Sequence, residues 1–318
     1  MSKVLIAGGA GFIGSHLTKN FIQDGHEVYV YDNNIQYFFP LSQYSIYNMK
    51  YRHEVLLKGA KLVRGNTLDI NDLRRNILNI QPEYIVNLAA LPLAVTAVKN
   101  TEEAFSSILY STHNFMEIMR DCDFIKKYVH ISSSMVYGDF KTIPNPENAL
   151  KEPKEIYGSM KLSSEYIVKG YAQRFNINSV IIRPSAVYGP TDNNYRVIQK
   201  FIESALAGKE IVANNPSSNT LDFSYVKDVA QGMKQATLGN TLSCEAFNLT
   251  NGEGRTLKEA IDILQSHFKN LKVIINENKD FYPKRGSLDI SKAKKIIGFK
   301  PIYTLEKGIL EYLSFLKN

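Results

Sequence analysis

The stretch that most constrains this chain is "GGAGFIG", residues 8–14, which follows the apolar run "KVLIA" and opens a segment with helical spacing at Phe12, Ile13, Leu17 and Phe21. Gly8, Gly11 and Gly14 stand three residues apart. A tight strand-to-helix turn, a backbone that approaches a pyrophosphate, and a helix seated close on its sheet each need glycine at one of those points. The helix start then offers free N–H donors and a favourable dipole to phosphate. A strand, a turn and a helix with no ligand need fewer glycines. Asp32 ends the next strand-like run, "HEVYVYD". A carboxylate there accepts both hydroxyls of an adenosine ribose and repels a 2′-phosphate, and Asn33 and Asn34 bring no cation to hold one. The expected cofactor is NAD rather than NADP.

The rest of the first half repeats the alternation. "AKLVRG", "EYIVNLAA" and "KYVHISS" read as further strands, with helical patterns over 68–80 and 101–121 between them. Short apolar runs separated by helices imply a parallel sheet covered on both faces. After about residue 184 the pattern loosens into turn-rich stretches such as "RPSAVYGP" and "ANNPSSNTLDF". Helical patterns over 196–207, 227–237 and 256–268 mix there with short strands such as "EAFNLT" and "LKVII". The expected fold is α/β, a doubly wound parallel sheet with a smaller C-terminal α/β substrate lobe. Residues 1–184 form the cofactor-binding domain, 226–250 return to it, and 185–318 make the smaller lobe. An insertion after the second strand, 35–57, is rich in Tyr and Phe and is expected to cover one edge of the sheet.

A net charge of +7 favours partners that carry phosphate. The basic residues are dispersed, and the densest group, Lys292, Lys294 and Lys295, reads as the solvated face of a short helix. No nucleic-acid partner is expected. Cys122 and Cys244 are far apart and lack metal-ligand spacing, so two free thiols and no metal are expected. The N-terminal run is too short for a signal peptide, and the longest mostly apolar stretch, 84–98, is broken by Asn87 and Pro92. The expected location is the cytoplasm, with no membrane contact.

"YGSMK" places Tyr157 and Lys161 four residues apart, on one face of a helix. A free phenol, with a pKa of about 10, is a poor base. A nearby ammonium and a positive nicotinamide ring both favour the phenolate. Alone, this spacing describes any amphipathic helix. Upstream, however, "ISSSMVYG" (131–138) stands at the end of the fifth strand, where ligands bind in such sheets. A hydroxyl there can donate to a substrate oxygen as charge develops on it. One or two of Ser132, Ser133 and Ser134 are expected only to cap the turn.

With glycine turn, Asp32, serine run and Tyr157/Lys161 in this order, the chain resembles the extended short-chain dehydrogenase/reductases. More narrowly, it resembles the NAD-dependent nucleotide-sugar epimerase/dehydratase family, whose landmarks "NLAA", "RPSAVYGP", "LDFSYVKDVA" and "RGSLDISKAKKIIGFKP" recur along nearly its whole length. The resemblance implies a Rossmann-type fold in which Tyr157 is the base, Lys161 its partner and Ser133 the hydroxyl that polarises the sugar oxygen. It implies NAD held by Gly8, Gly11, Phe12, Ile13, Gly14, Asp32, Asn33, Leu88, Ala89, Ala90 and Lys161, and a nucleotide-diphosphate sugar oxidised at C4. It also implies a homodimer built on helices 101–121 and 155–175, whose apolar residues include Ile108, Phe115, Met119, Ile167 and Val168.

The family's 4,6-dehydratases carry acids just after the catalytic hydroxyl, to act at C5 and C6. Here those positions are Ser134 and Met135, so elimination is disfavoured and a C4 epimerase is favoured. The alternatives are a 4-dehydrogenase, a 4-keto reductase or, less favoured, a 4,6-dehydratase, with a non-enzymatic NAD-sensing regulator more remote. The family's usual diphosphate arginines are missing at Leu221 and in "ENKD" (277–280). Arg196, Arg255 and Arg285 are the candidate replacements, and Ser134, Met135 and Ser185 are the other candidate substrate contacts.

Overall fold

The structure, a computed structural model, describes residues 1–37, 41–218, 220–277 and 283–317. Its centre is a seven-stranded sheet of β1 (Lys3–Ala7), β2 (Glu27–Asp32), β3 (Lys61–Arg64), β4 (Tyr84–Asn87), β5 (Lys127–Ile131), β6 (Ser179–Pro184) and the strand Glu245–Leu249. The spatial order is Glu245–Leu249, β6, β5, β4, β1, β2, β3, and every pairing is parallel. The order reverses between β1 and β4, which opens a crevice at their carboxyl ends.

The apolar strand residues alternate between two cores, as a period of two requires. Val4, Ile6, Val86, Val129 and Ile182 face the helices Phe12–Gln23 and Val226–Leu238. Leu5, Ala7, Ile85 and Tyr128 face Ile70–Ile80, Ser111–Met119 and Ile156–Phe175. Val229, Met233 and Ala236 belong to the first of these cores, and the strand Glu245–Leu249 pairs with β6, so this part of the second half packs with the sheet.

A third core holds the remainder of the second half together. The helices Val197–Leu206, Leu257–His267 and Leu305–Lys317 contribute Phe201, Ile202, Ile261, Leu264, Ile309 and Tyr312 to it. The second of these helices starts in a capping box, with Thr256 and Glu259 satisfying each other's backbone N–H groups. Sequence patterning did not mark the last helix, whose apolar face is needed only once this lobe has closed.

The aromatic insertion joins the two lobes. Its helix Gln43–Tyr51 and the turn Arg52–Leu56 reach across to the C-terminal lobe. Tyr47 and Tyr51 pack on Phe315, with ring centroids 5.3 and 4.8 Å apart. Asn48 Nδ2 donates to Asp192 O at 3.0 Å, and Asn193 Nδ2 returns a bond to Ser45 O at 3.0 Å. Phe38 and Phe39 of the insertion lie outside the described residues. Lys292 departs from the expected solvated face: its ammonium bonds Ala246 O at 2.9 Å and pairs with Glu245. No helix among the described residues is long and apolar enough to cross a membrane.

Candidate active site

A cleft of about 1390 Å³ runs along the carboxyl ends of the strands and between the lobes. That exceeds the space of an ordinary small-ligand pocket and suits two large ligands side by side. One end is the glycine turn. Gly8 sits at φ +74°, and a Cβ there would stand 2.8 Å from the backbone nitrogen of Ala89. A Cβ on Gly14 would overlap the carbonyl oxygen of Gly8. The helix Phe12–Gln23 begins at Gly11 with no side-chain cap among the described residues, which leaves its first N–H groups available to a ligand. The Asp32 carboxylate accepts Ala10 N–H at 2.9 Å and Asn34 N–H at 2.8 Å, which braces the turn against β2 and leaves lone pairs for ribose hydroxyls. Leu88, Ala89 and Ala90 line the same end, with Ala89 N–H held by Asn87 Oδ1 at 3.1 Å. Phe12, Ile13 and Asn33 line it too. This cradle fits a dinucleotide, and the cofactor is NAD.

The middle of the cleft carries Ser133, Tyr157 and Lys161 together. Ser133 Oγ accepts the N–H of Met135 at 3.2 Å, which caps the short turn Ser134–Tyr137 and leaves its hydroxyl hydrogen for a substrate. Ser132 is committed elsewhere, donating to Glu165 Oε1 at 2.6 Å. Lys161 is buried, donates to Ile131 O at 2.8 Å, and places its ammonium 5.8 Å from the centroid of the Tyr157 ring. Burial lowers Lys161 to about 8 while Glu165 acts to raise it, so it is largely cationic at neutral pH. Burial also pushes the Tyr157 phenol up to about 12, and the charge of Arg196 acts against that rise. A bound nicotinamide ring, itself positive, would act in the same sense as Arg196.

The expected substrate contacts separate in the structure. Ser134, Met135, Arg196 and Arg285 line the cleft. Arg196 pairs with buried Asp192 at 2.7 Å and stands 5.3 Å from the Phe12 ring centroid, and Arg285 Nη1 lies 3.5 Å from Met135 Sδ. Ser185 and Arg255 are not among the lining residues. Ser185 is buried, and Arg255 is held by Glu253, Glu259 and Glu306. Leu221 lines the cleft where a diphosphate arginine was missing, and residues 278–280 of "ENKD" lie outside the described residues.

Three lining cations escaped sequence reasoning: Lys284, beside Arg285, Lys200 and Arg52. Lys200 follows Arg196 by one helical turn, a spacing that was there to be read. Arg52 lies in the insertion and carried no local signal. It is buried and bonds Thr191 O through Nε (3.1 Å) and Nη2, with Nη1 3.5 Å from Ala10 O at the glycine turn.

Residues 4–249 match the NAD dependent epimerase/dehydratase family. An uncharacterized protein of Methanocaldococcus jannaschii is 30% identical over 99% of this chain and 96% of its own length. A putative UDP-glucose 4-epimerase of the same organism is 28% identical, covering 99% of this chain and 98% of the relative. Among solved structures, the UDP-glucuronic acid 4-epimerase of Bacillus cereus, in complex with UDP-glucuronic acid and NAD, superposes with a TM-score of 0.89 at 26% identity, over 99% of both chains.

Proposed function

This chain belongs to the NAD dependent epimerase/dehydratase family, and we propose that it is a nucleotide-sugar 4-epimerase in which Ser133, Tyr157 and Lys161 act on the C4 hydroxyl. The observation that carries this reading is the placement of those three side chains in one cleft with the glycine cradle, followed by Ser134 and Met135 where elimination needs acids. Tyr157 takes the proton of the C4 hydroxyl, Ser133 donates to the same oxygen, and Lys161 stabilises the phenolate. NAD, held by the glycine turn and Asp32, would supply the hydride acceptor and donor for C4. Between those steps the 4-keto sugar turns its other face, Tyr157 returns the proton, and C4 emerges inverted. Neither Met135 nor Ser134 supplies the proton transfers that loss of water would require.

Residues 1–184 with 226–250 serve the cofactor in this reading, and the remainder of 185–318 serves the nucleotide sugar. Uridine diphosphate sugars are the first to test, since the similar enzymes named above act on them. Purified protein is expected to interconvert a C4 pair of such sugars without added reductant, as followed by NMR. Accumulation of a 4-keto-6-deoxy sugar, or stoichiometric consumption of NADH, would refute the epimerase reading. The two free cysteines fit a reducing cytoplasm.

The protein is expected to form a homodimer through the helices 101–119 and Ile156–Phe175. Ile108, Phe115, Met119 and Val168 are consumed by the chain's own cores, so they cannot make that contact. The exposed large apolar residues on these helices are Phe105, Tyr110, Ile156, Tyr166 and Phe175, with Tyr166 the most exposed at 63%. Tyr166→Glu combined with Phe105→Glu should shift the mass measured by light scattering from dimer to monomer. An unchanged dimer would place the interface elsewhere.

A further inference from the structure

We propose that Arg52 is a positioning residue: it clasps the segment 190–196 to the glycine turn and so sets Arg196 in the cleft beside Tyr157. This rests on the 4-epimerase reading for the part played by Tyr157.

The segment 190–196 has an uncommon backbone. Thr191 stands at φ +72° and Tyr195 at φ +52°. A β-branched residue takes up that left-handed conformation only where its surroundings impose it. Here the ties come from the cofactor side of the molecule. Arg52 Nε donates to Thr191 O at 3.1 Å, Nη2 donates to the same oxygen, and Nη1 lies 3.5 Å from Ala10 O. One planar fork therefore spans the glycine turn and the strained residue. Asn48, four residues earlier in the insertion, donates through Nδ2 to Asp192 O at 3.0 Å and to Asn193 Oδ1 at 2.8 Å. His16, on the helix that the glycine turn opens, has Nε2 3.0 Å from Pro190 O and 3.3 Å from Thr191 Oγ1.

The segment ends on Arg196. The carboxylate of buried Asp192 accepts Asn194 N at 3.1 Å, Asn194 Nδ2 at 3.2 Å and Arg196 Nη1 at 2.7 Å, all on Oδ1. Moving Thr191 O moves the next residue's carboxylate, and the guanidinium follows. Arg196 lines the cleft, 5.3 Å from the Phe12 ring centroid. Burial lowers Arg52 to about 10 while Asp192 acts to raise it, so Arg52 is cationic at neutral pH.

The groups around the Tyr157 phenol come from several elements. Lys161 stands on its own helix, and Tyr37, bonded to Glu103 at 3.2 Å, packs against the same apolar cluster of Leu91, Ala97, Ala104 and Ile108. Burial raises the phenol, and the charge of Arg196 acts against that rise. An Arg196 released into solvent gives up this effect, because water screens its charge. The clasp thus connects the insertion to the ease with which Tyr157 ionises.

The test follows the Tyr157 phenol by NMR of NAD-loaded protein labelled with ¹³C at tyrosine Cζ, its signal assigned by its loss in Tyr157→Phe, alongside kcat against pH. R196Q is expected to move the Tyr157 midpoint up by about one pH unit, the effect of losing a nearby opposite charge. R52Q should move it the same way by a similar amount, with R52K between, because an ammonium cannot bridge both carbonyls as a fork does. The double variant R52Q/R196Q should titrate like R196Q alone, since Arg52 acts through Arg196. An R52Q midpoint equal to the wild type's overturns the proposal, and so does an R196Q midpoint equal to it. Additive shifts in the double variant also overturn it, by giving Arg52 an effect of its own on the phenol. An R52Q that loses NAD, and on resaturation titrates like the wild type, makes Arg52 a cofactor contact instead. A merely structural Arg52 would lower the unfolding free energy and leave the midpoint in place. If R52Q does not fold, R52K and its cycle with R196Q decide. The NMR signal needs no turnover. The expected shifts in a protein that inverts no sugar keep the clasp and sink the epimerase reading, and inversion at C4 with unmoved midpoints does the reverse.

Discussion

Tyr157→Phe is expected to lower kcat by about a thousandfold while the protein keeps its fold and its NAD. Positioned acid–base groups contribute on that scale, and Tyr157 is the lining phenol that lies one helical turn from Lys161. No side chain or backbone group among the described residues hydrogen-bonds the Tyr157 hydroxyl, so its removal leaves no buried group unpaired. The glycine cradle that holds the cofactor is untouched. Steady-state rates on the nucleotide sugar, with NAD content read by absorbance, check both halves of the expectation. The pH profile adds a third readout. Burial raises the phenol and nearby cations lower it, so wild-type activity should climb with pH along a limb that belongs to this group. Tyr157→Phe should lose that limb. Activity equal to wild type would remove Tyr157 from the reaction and, with it, the enzymatic reading of the cleft.

The parts of this protein that could be read in advance are those whose physics is local. The Gly8–Gly11–Gly14 spacing, Asp32 at the end of β2 and the buried alternation of β1, β4 and β5 each express a requirement met within a few residues. Ser133 and the Tyr157/Lys161 pair share that character, since a strand end and one helical turn aim them. The cations are different. Arg196, Arg255 and Arg285 look alike in a string of letters, and only the closed lobe shows that Arg255 is spent on three carboxylates while the other two line the cleft. Arg52 was hidden by its surroundings: an aromatic insertion reads as a surface cover, yet its helix follows Asn48 and Tyr51 onto the C-terminal lobe and carries the guanidinium to the glycine turn. Long-range packing decided each of these, and no periodicity records it.

Long-range packing also makes the second large expectation, which concerns Glu165 and Arg183. Both are almost completely buried, at 0% and 1% exposure. The pair is bidentate, with Nη2 to Oε2 at 2.6 Å and Nε to Oε1 at 2.8 Å. Arg183 Nη1 continues to Tyr137 OH at 2.8 Å and Glu147 O at 3.0 Å, and Tyr137 OH donates to Asn248 Oδ1 at 2.8 Å. Ser132 closes the network on Glu165. It therefore ties β6, the Tyr157 helix, the Ser133 turn and the strand Glu245–Leu249 to one another. Glu165→Ala leaves a buried guanidinium with its carboxylate gone, and a loss of about 3–5 kcal/mol in unfolding free energy is expected by urea titration. The double replacement Glu165→Leu/Arg183→Met removes both charges and should recover much of that loss, because two buried ions are costly to desolvate even when paired. Burial alone would raise the Glu165 carboxyl, but the hydrogen bond and charge of Arg183, with Ser132, outweigh it and hold the group below its ordinary 4.5. A carboxylate depressed in the folded state contributes stability that is complete above its unfolded pKa and disappears as pH falls through the folded one. The wild type should thus lose stability on acidification below about pH 4.5, and the double variant should lose less over the same range. Should Glu165→Ala unfold at the same urea concentration as the wild type, the pair would have no part in holding Ser133 and Tyr157 in register.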